Sequence, residues 1–176
     1  MKKILIICAL VIFLITGCTQ DATQNPPTTS QTSTVQQETD AKKSDWAEIE
    51  LKDGSKVKVI INKVTFTEER NDQDQTDPNQ VVKLDYGYEN ISSQEDIEIN
   101  NKMFRVYDQN NALATQYVLD TGKNYGFIRK GTILQSAELF YSLSNESKYV
   151  TIVFRYSGAT SGDADATFKI LVQDPE

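Results

Sequence analysis

The amino-acid sequence predicts an all-β domain, a two-layer sandwich of about seven to nine antiparallel strands, placed behind an apolar leader and a polar tether. Three observations predict it. From Trp46 onward apolar residues recur at every second position, the spacing that turns one face of a strand toward a core. Turn-forming clusters such as Asp53-Gly54 and residues 108–112 interrupt these runs at short intervals. No stretch beyond the leader repeats with the 3.6-residue period of an amphipathic helix.

The leader comes first. Lys2 and Lys3 precede an apolar run from Ile4 to Ile15, the length of a signal-peptide core and too short to span about 30 Å of hydrocarbon. Ile15, Thr16, Gly17 and Cys18 then resemble a bacterial lipobox. A small residue before the cut suits a peptidase pocket, and only a thiol can form the thioether to lipid. The expectation is a signal peptide over residues 1–17, cleavage after Gly17 and lipidation of Cys18. An uncleaved anchor, or an ordinary secretory signal with an incidental cysteine, is the alternative. The localisation that follows is the cell membrane, lipid-anchored, facing outside the cytoplasm.

The chain has two cysteines and no histidine. Cys8 would leave with the signal and Cys18 would carry lipid, so the mature domain is expected to hold no free thiol and no disulfide. Residues 18–45 form the lipidated cysteine and the tether: Thr, Ser and Gln dominate, with Pro26-Pro27 among them. Such a segment buries too little apolar surface to offset its ordering entropy, and as a coil it would reach roughly 30 Å. The formal charge of -7 would become more negative once Lys2 and Lys3 are removed. An acidic chain without a basic stripe argues against nucleic acid and against polybasic docking on anionic lipid.

The domain is expected over residues 46–176. In the first strand Ala47, Ile49 and Leu51 alternate with Glu48, Glu50 and Lys52. Asp53-Gly54 supplies a hairpin turn. The next run places Val57, Val59 and Ile61 on one face and then shifts parity to Val64 and Phe66, as a β-bulge near Asn62 would. Val82, Leu84, Tyr86 and Tyr88 make the cleanest alternation. Shorter strands are expected at Ile97–Ile99, at Phe104–Val106 and at Leu113–Tyr117. Ala137, Leu139, Tyr141 and Leu143 face inward on a long strand, residues 144–147 turn, and Val150, Ile152, Phe154 and Tyr156 follow. Ala166, Phe168, Ile170 and Val172 complete the set. Short strands joined by hairpins or Greek-key crossings favour a sandwich, with an immunoglobulin-like topology as the specific expectation and a small closed barrel as the alternative.

The chain also carries a family resemblance. The lipobox and tether, followed by "VIINKVTFTEERND", "VVKLDYGYENISSQEDIEI", "FRVYDQNNALATQY" and "IRKGTILQSAELFYSLSNESKYVTIVFRY", resemble Gram-positive lipoproteins that carry an immunoglobulin-like, telokin-like domain of unknown function. The resemblance covers about residues 56–172 and rests on structural motifs. It implies a sandwich at the cell surface and brings no catalytic residue with it. In the Ile128 to Gly131 element, Lys130 stands where the family usually has proline.

The residue inventory restricts the chemistry. Without histidine or a free thiol the mature domain has no Ser-His-Asp triad, no Cys-His pair and no histidine-based zinc site, and it is expected not to be an enzyme. The neighbouring carboxylates Glu68 and Glu69, Asp96 and Glu98, and Asp163 and Asp165 read as solvated strand ends. A glycosidase would need two of them facing across a cleft. Asp72, Asp74 and Asp77 are weak calcium candidates: they are hard oxygen ligands, but the loop lacks the turn glycine and closing glutamate of an EF-hand. The loop 161–165 is a second acidic candidate. No cofactor is expected.

Binding is the remaining class. Tyr86, Tyr88, Tyr141 and Tyr156 alternate with polar residues and read as core. Tyr117, Tyr125 and Phe127 lie in a loop-rich stretch near "TGKNYGF" and form the candidate binding loop. The expected function is a non-catalytic surface module that binds a protein or envelope component. A carbohydrate or cell-wall ligand module is the alternative, and it would need two or three coplanar exposed aromatics.

Overall fold

Eight strands and one short 3-10 turn account for the regular structure in the computed structural model, which describes residues 41–73, 78–159 and 162–175. The strands are β1 (Asp45–Glu50), β2 (Lys56–Thr67), β3 (Gln80–Asn90), β4 (Phe104–Tyr107), β5 (Thr115–Tyr117), β6 (Ile133–Leu143), β7 (Tyr149–Phe154) and β8 (Ala166–Gln173). The domain is all-β. The expected alternation sets the inward faces of the long strands: Val57, Val59, Ile61 and Val64 are buried from β2, and Val82, Leu84, Tyr86 and Tyr88 from β3.

Hydrogen bonds connect the strands in the order β4-β7-β8-β2-β3-β6-β5, with β1 pairing β2. With β2 to β8 lettered A to G, the two layers read A-B-E-D and C-F-G. That is the strand order of the seven-stranded constant-type immunoglobulin sandwich, with β1 added. All pairings are antiparallel except β2 with β8, a parallel junction of two residue pairs, Val64 with Val172 and Thr65 with Gln173. This junction joins the two layers along one side and gives the sheet a barrel-like outline. The other side is the open one: β4 and β5 are the two ends of the path, and the Tyr107–Leu113 bridge with the Ala114 N–H bond to the Val106 carbonyl crosses it outside the named strands.

Local signals explain most element boundaries. Gly54 adopts φ of +79° in the β1–β2 turn, a conformation that clashes with a Cβ. The register of β2 against β3 shifts between Ile61 and Lys63, so the change of parity at Asn62 is a bulge. The Asn62 side chain uses it, donating to Asp85 Oδ1 at 2.9 Å and to the Gln135 carbonyl at 2.8 Å. A second bulge, unforeseen from the alternation, lies between Tyr86 and Tyr88. There a Cβ on Gly87 would stand 2.8 Å from the carbonyl oxygens of Leu134 and Gln135.

Two short strands differ from expectation. Ile97 makes only an isolated bridge with Ile128, because Asn100 caps a 3-10 turn over Asn101–Met103 and diverts the backbone. The strand expected over Leu113–Tyr117 begins at Thr115. The preceding residues fold back on β4, with the Ala114 N–H donating to the Val106 carbonyl. At the other end of the domain, pairing already starts at Lys42, which bridges Ile170, inside the segment that composition assigns to the tether.

The main core fills the space between the layers. Phe104 meets Tyr86 edge-on with centroids 4.9 Å apart and Phe154 at 5.2 Å, geometries worth about 1 kcal/mol each beyond area burial. A second, smaller cluster of Val81, Tyr117 and Phe140, with Leu119 against it, lies on the outer face of the β3–β6–β5 layer.

Candidate functional site

The expected binding loop divides into three environments. Tyr117, expected in the binding loop, is 3% exposed and so presents almost no surface to a partner. It pairs with Phe140 across β5 and β6, and its hydroxyl accepts the Asn71 N–H at 2.7 Å. Asn71 Nδ2 donates in turn to the Val118 carbonyl, and Thr121 Oγ1 to Glu69 Oε2. These bonds pin the loop across the sheet. Tyr125 is half-buried against the main core. Phe127 is 72% exposed. Beside it, Gly126 is held by Tyr88, whose hydroxyl donates to the Gly126 carbonyl and accepts the Gly126 N–H.

Other expected positions are easily placed. Asp72 is exposed, whereas Asp74, Asp77, Gly17 and Cys18 lie outside the described residues. Among the described residues no cluster of three or more carboxylates is arranged to hold a metal. Trp46, 58% exposed on β1, has the Lys58 ammonium 4.3 Å from its ring centroid.

An acidic cleft of about 500 Å³ lies at the end of the sandwich that carries the β1–β2 turn. Ile49, Leu51, Ile97 and Tyr156 form its apolar part, and Glu50, Asp53, Glu95, Asp96 and Asp165 also line it. Two of these carboxylates hold the chain in place. Asp53 accepts both the N–H and hydroxyl of Ser55, which lowers its pKa, and Asp165 accepts the Tyr156 N–H at 2.7 Å. Burial, assisted by Asp53 and Glu95, raises the Tyr156 phenol.

A cleft of different character occupies the open side, between the path ends β4 and β5. It measures about 510 Å³ and is lined from β4 by residues 104–107, from the fold-back by Leu113 and Ala114, and from β5 by Thr115 and Gln116. Asn101 and Tyr141 complete it. The fold-back exists because Asp108, 2% exposed, accepts the N–H groups of Asn110 and Ala112 at Oδ1 and the Asn145 amide at Oδ2. Asn111 follows with φ of +64°, a left-handed conformation that asparagine tolerates better than most residues.

Tyr141 stands apart from the other core tyrosines. The Tyr86 hydroxyl donates to the Ile99 carbonyl at 2.7 Å, and that of Tyr88 is satisfied by Gly126. Tyr141 is 4% exposed, and its hydroxyl has no partner among the described residues. Burial pushes its pKa up, and the nearby Arg105 opposes that shift only in part. Arg105 curls back along β4, where its Nη1 donates to the Phe104 carbonyl at 3.0 Å and to the Lys102 carbonyl at 3.4 Å. Alternation alone places Tyr141 in the core, which is correct, and gives Arg105 no role. No local pattern could have paired them, since they meet only across the open side.

No protein-family model matches the chain, and no curated protein matches it. Among solved structures, ycdA of Bacillus subtilis subsp. subtilis str. 168, provisionally designated a lipoprotein, superposes with a TM-score of 0.53 at 16% identity. The match covers 74% of this chain and 39% of that one, so this chain spans about two fifths of ycdA. The yjhA protein of Bacillus subtilis gives 0.47 at 17% identity, over 66% of this chain and 91% of that one. At such identity the likeness to ycdA is one of fold, and the eight-stranded all-β domain is similar to part of that larger protein.

Proposed function

We propose that the protein is an extracytoplasmic lipoprotein, anchored to the membrane through Cys18, whose immunoglobulin-like domain is a non-catalytic module binding a protein or envelope component. The address rests on the junction of Lys2 and Lys3, the apolar run and Ile15 to Cys18. The provisional designation of ycdA agrees with it. The observation that carries the binding role is the open side of the sandwich. There a cleft of about 510 Å³ has the size of small-ligand sites, with Asn101, Arg105, Thr115 and Gln116 lining it beside apolar residues. A carbohydrate platform has less support, because the exposed Trp46 ring already carries the Lys58 ammonium.

Radiolabelled palmitate and detergent-phase partitioning, applied to the full chain and to Cys18→Ala, test the anchor. The wild type should take up label and enter the detergent phase, and the variant should take up none. Label in Cys18→Ala would overturn it. Capture of partners from native membranes by the lipidated chain tests the binding role, and recovery of none would remove it.

A further inference from the structure

We propose that the cleft between β4 and β5 binds a small carboxylate with an apolar body, the Tyr141 hydroxyl and the Arg105 guanidinium together receiving the carboxylate. The proposal rests on the binding role given above and adds the class of ligand. Three independent features of the cleft lead to it.

The first is the unpartnered hydroxyl. A buried phenol almost always finds an acceptor, and Tyr86 and Tyr88 both do. Tyr141 lines the cleft, and its hydroxyl, closed to solvent, has no acceptor among the described residues, so a ligand acceptor that opens the cleft floor would complete its hydrogen bonding. The second is charge. This chain carries 25 acidic residues against 18 basic ones, and five carboxylates line the cleft beside the β1–β2 turn. None lines the cleft between β4 and β5, where Arg105 is the charged group. Its Nη1 is held by two backbone carbonyls, which fixes the guanidinium while leaving Nε and Nη2 able to donate. A positioned guanidinium beside a neutral donor matches a carboxylate. The third is the wall. Leu113 is 53% exposed and offers apolar surface to the cleft beyond what the core requires, with Phe104, Val106 and Ala114 buried behind it. An aliphatic body would cover it.

Octanoate is the probe, titrated into the mature chain carrying Cys18→Ala so that no micelle competes for it. Amide shifts should be saturable and centred on Val106, Ala114, Gln116 and Tyr141. Octanol, with the same body and no charge, should bind more weakly, and octylammonium should not bind there. Tyr141→Phe should weaken octanoate about tenfold, as loss of one hydrogen bond to a charged group does. Arg105→Gln should abolish the preference for octanoate over octanol. A purely structural role for either residue would leave these preferences unmoved. The proposal is overturned if no shifts occur at these residues up to millimolar octanoate, if octylammonium binds equally well, or if folded Tyr141→Phe keeps full affinity. Capture of a membrane partner together with failure of octanoate would sink this proposal and leave the binding role standing.

Discussion

Tyr141→Phe should stabilise the unliganded domain, although it removes a polar atom from a tyrosine that is buried in the native fold. The ring, 4% exposed, keeps its packing in phenylalanine. Only the hydroxyl goes, and no described residue accepts from it. A buried donor without a partner costs about 1–3 kcal/mol of desolvation that nothing in the fold returns. Taking the low end for a site beside a cleft, the gain is about 1 kcal/mol, or roughly 3 °C in Tm. Tyr86→Phe is the matched control. It removes a hydroxyl that donates to the Ile99 carbonyl at 2.7 Å, takes that donor away from a buried acceptor, and should cost about 1.5 kcal/mol. The two substitutions delete the same atom from the same residue type, yet their effects should differ in sign. Urea unfolding followed by intrinsic fluorescence and far-ultraviolet dichroism, with equal m-values required of all three proteins, reads the difference. If Tyr141→Phe destabilises as much as Tyr86→Phe, the hydroxyl of Tyr141 is satisfied in the folded protein, and the open side has no unmet donor to offer a ligand.

Two further outcomes follow from packing and from titration. Gly87→Ala should destabilise by more than about 2 kcal/mol, since its Cβ would stand 2.8 Å from two backbone carbonyl oxygens and backbone cannot yield cheaply. Gly126→Ala, whose Cβ would meet nothing within 4 Å, should stay within about 0.5 kcal/mol, and equal losses in the two variants would discount the crowding at the β3 bulge. Burial raises the phenol pKa of Tyr86, Tyr88 and Tyr141 in the fold. The neutral phenols are favoured when folded, so their contribution is complete below the ordinary tyrosine value of about 10 and falls as pH climbs beyond it. Urea midpoints measured from about pH 8 to about pH 11 should drop above about pH 10, and a flat profile would contradict the burial of these rings.

Much of the fold could be read from the chain because strand structure writes itself locally. An apolar residue at every second position survives in Val57–Ile61 and in Val82–Tyr88, where each buried side chain has a half-exposed neighbour on at least one side. The parity shift at Asn62 marks its bulge for the same reason, since one extra residue must exchange the faces. The bulge at Gly87 leaves no such mark. Tyr86 and Tyr88 keep their spacing while the partner strand β6 absorbs the irregularity.

Residue identity and near-neighbour spacing were enough for the all-β class, the turn at Asp53-Gly54, the inward faces of the long strands, and the absence of histidine and thiol chemistry from residues 46–176. Three other features required the folded chain: which strands lie side by side, the burial of Tyr117 beneath contacts from Asn71, and the meeting of Arg105 and Tyr141 in one cleft. These depend on strand order. Tyr117 and Asn71 are 46 residues apart in the chain, and no periodicity reports which distant segment will cover a given side chain. Alternation tells each strand which face to bury, whereas the pairing of edges across the open side is settled only when the whole path from β4 to β5 has formed.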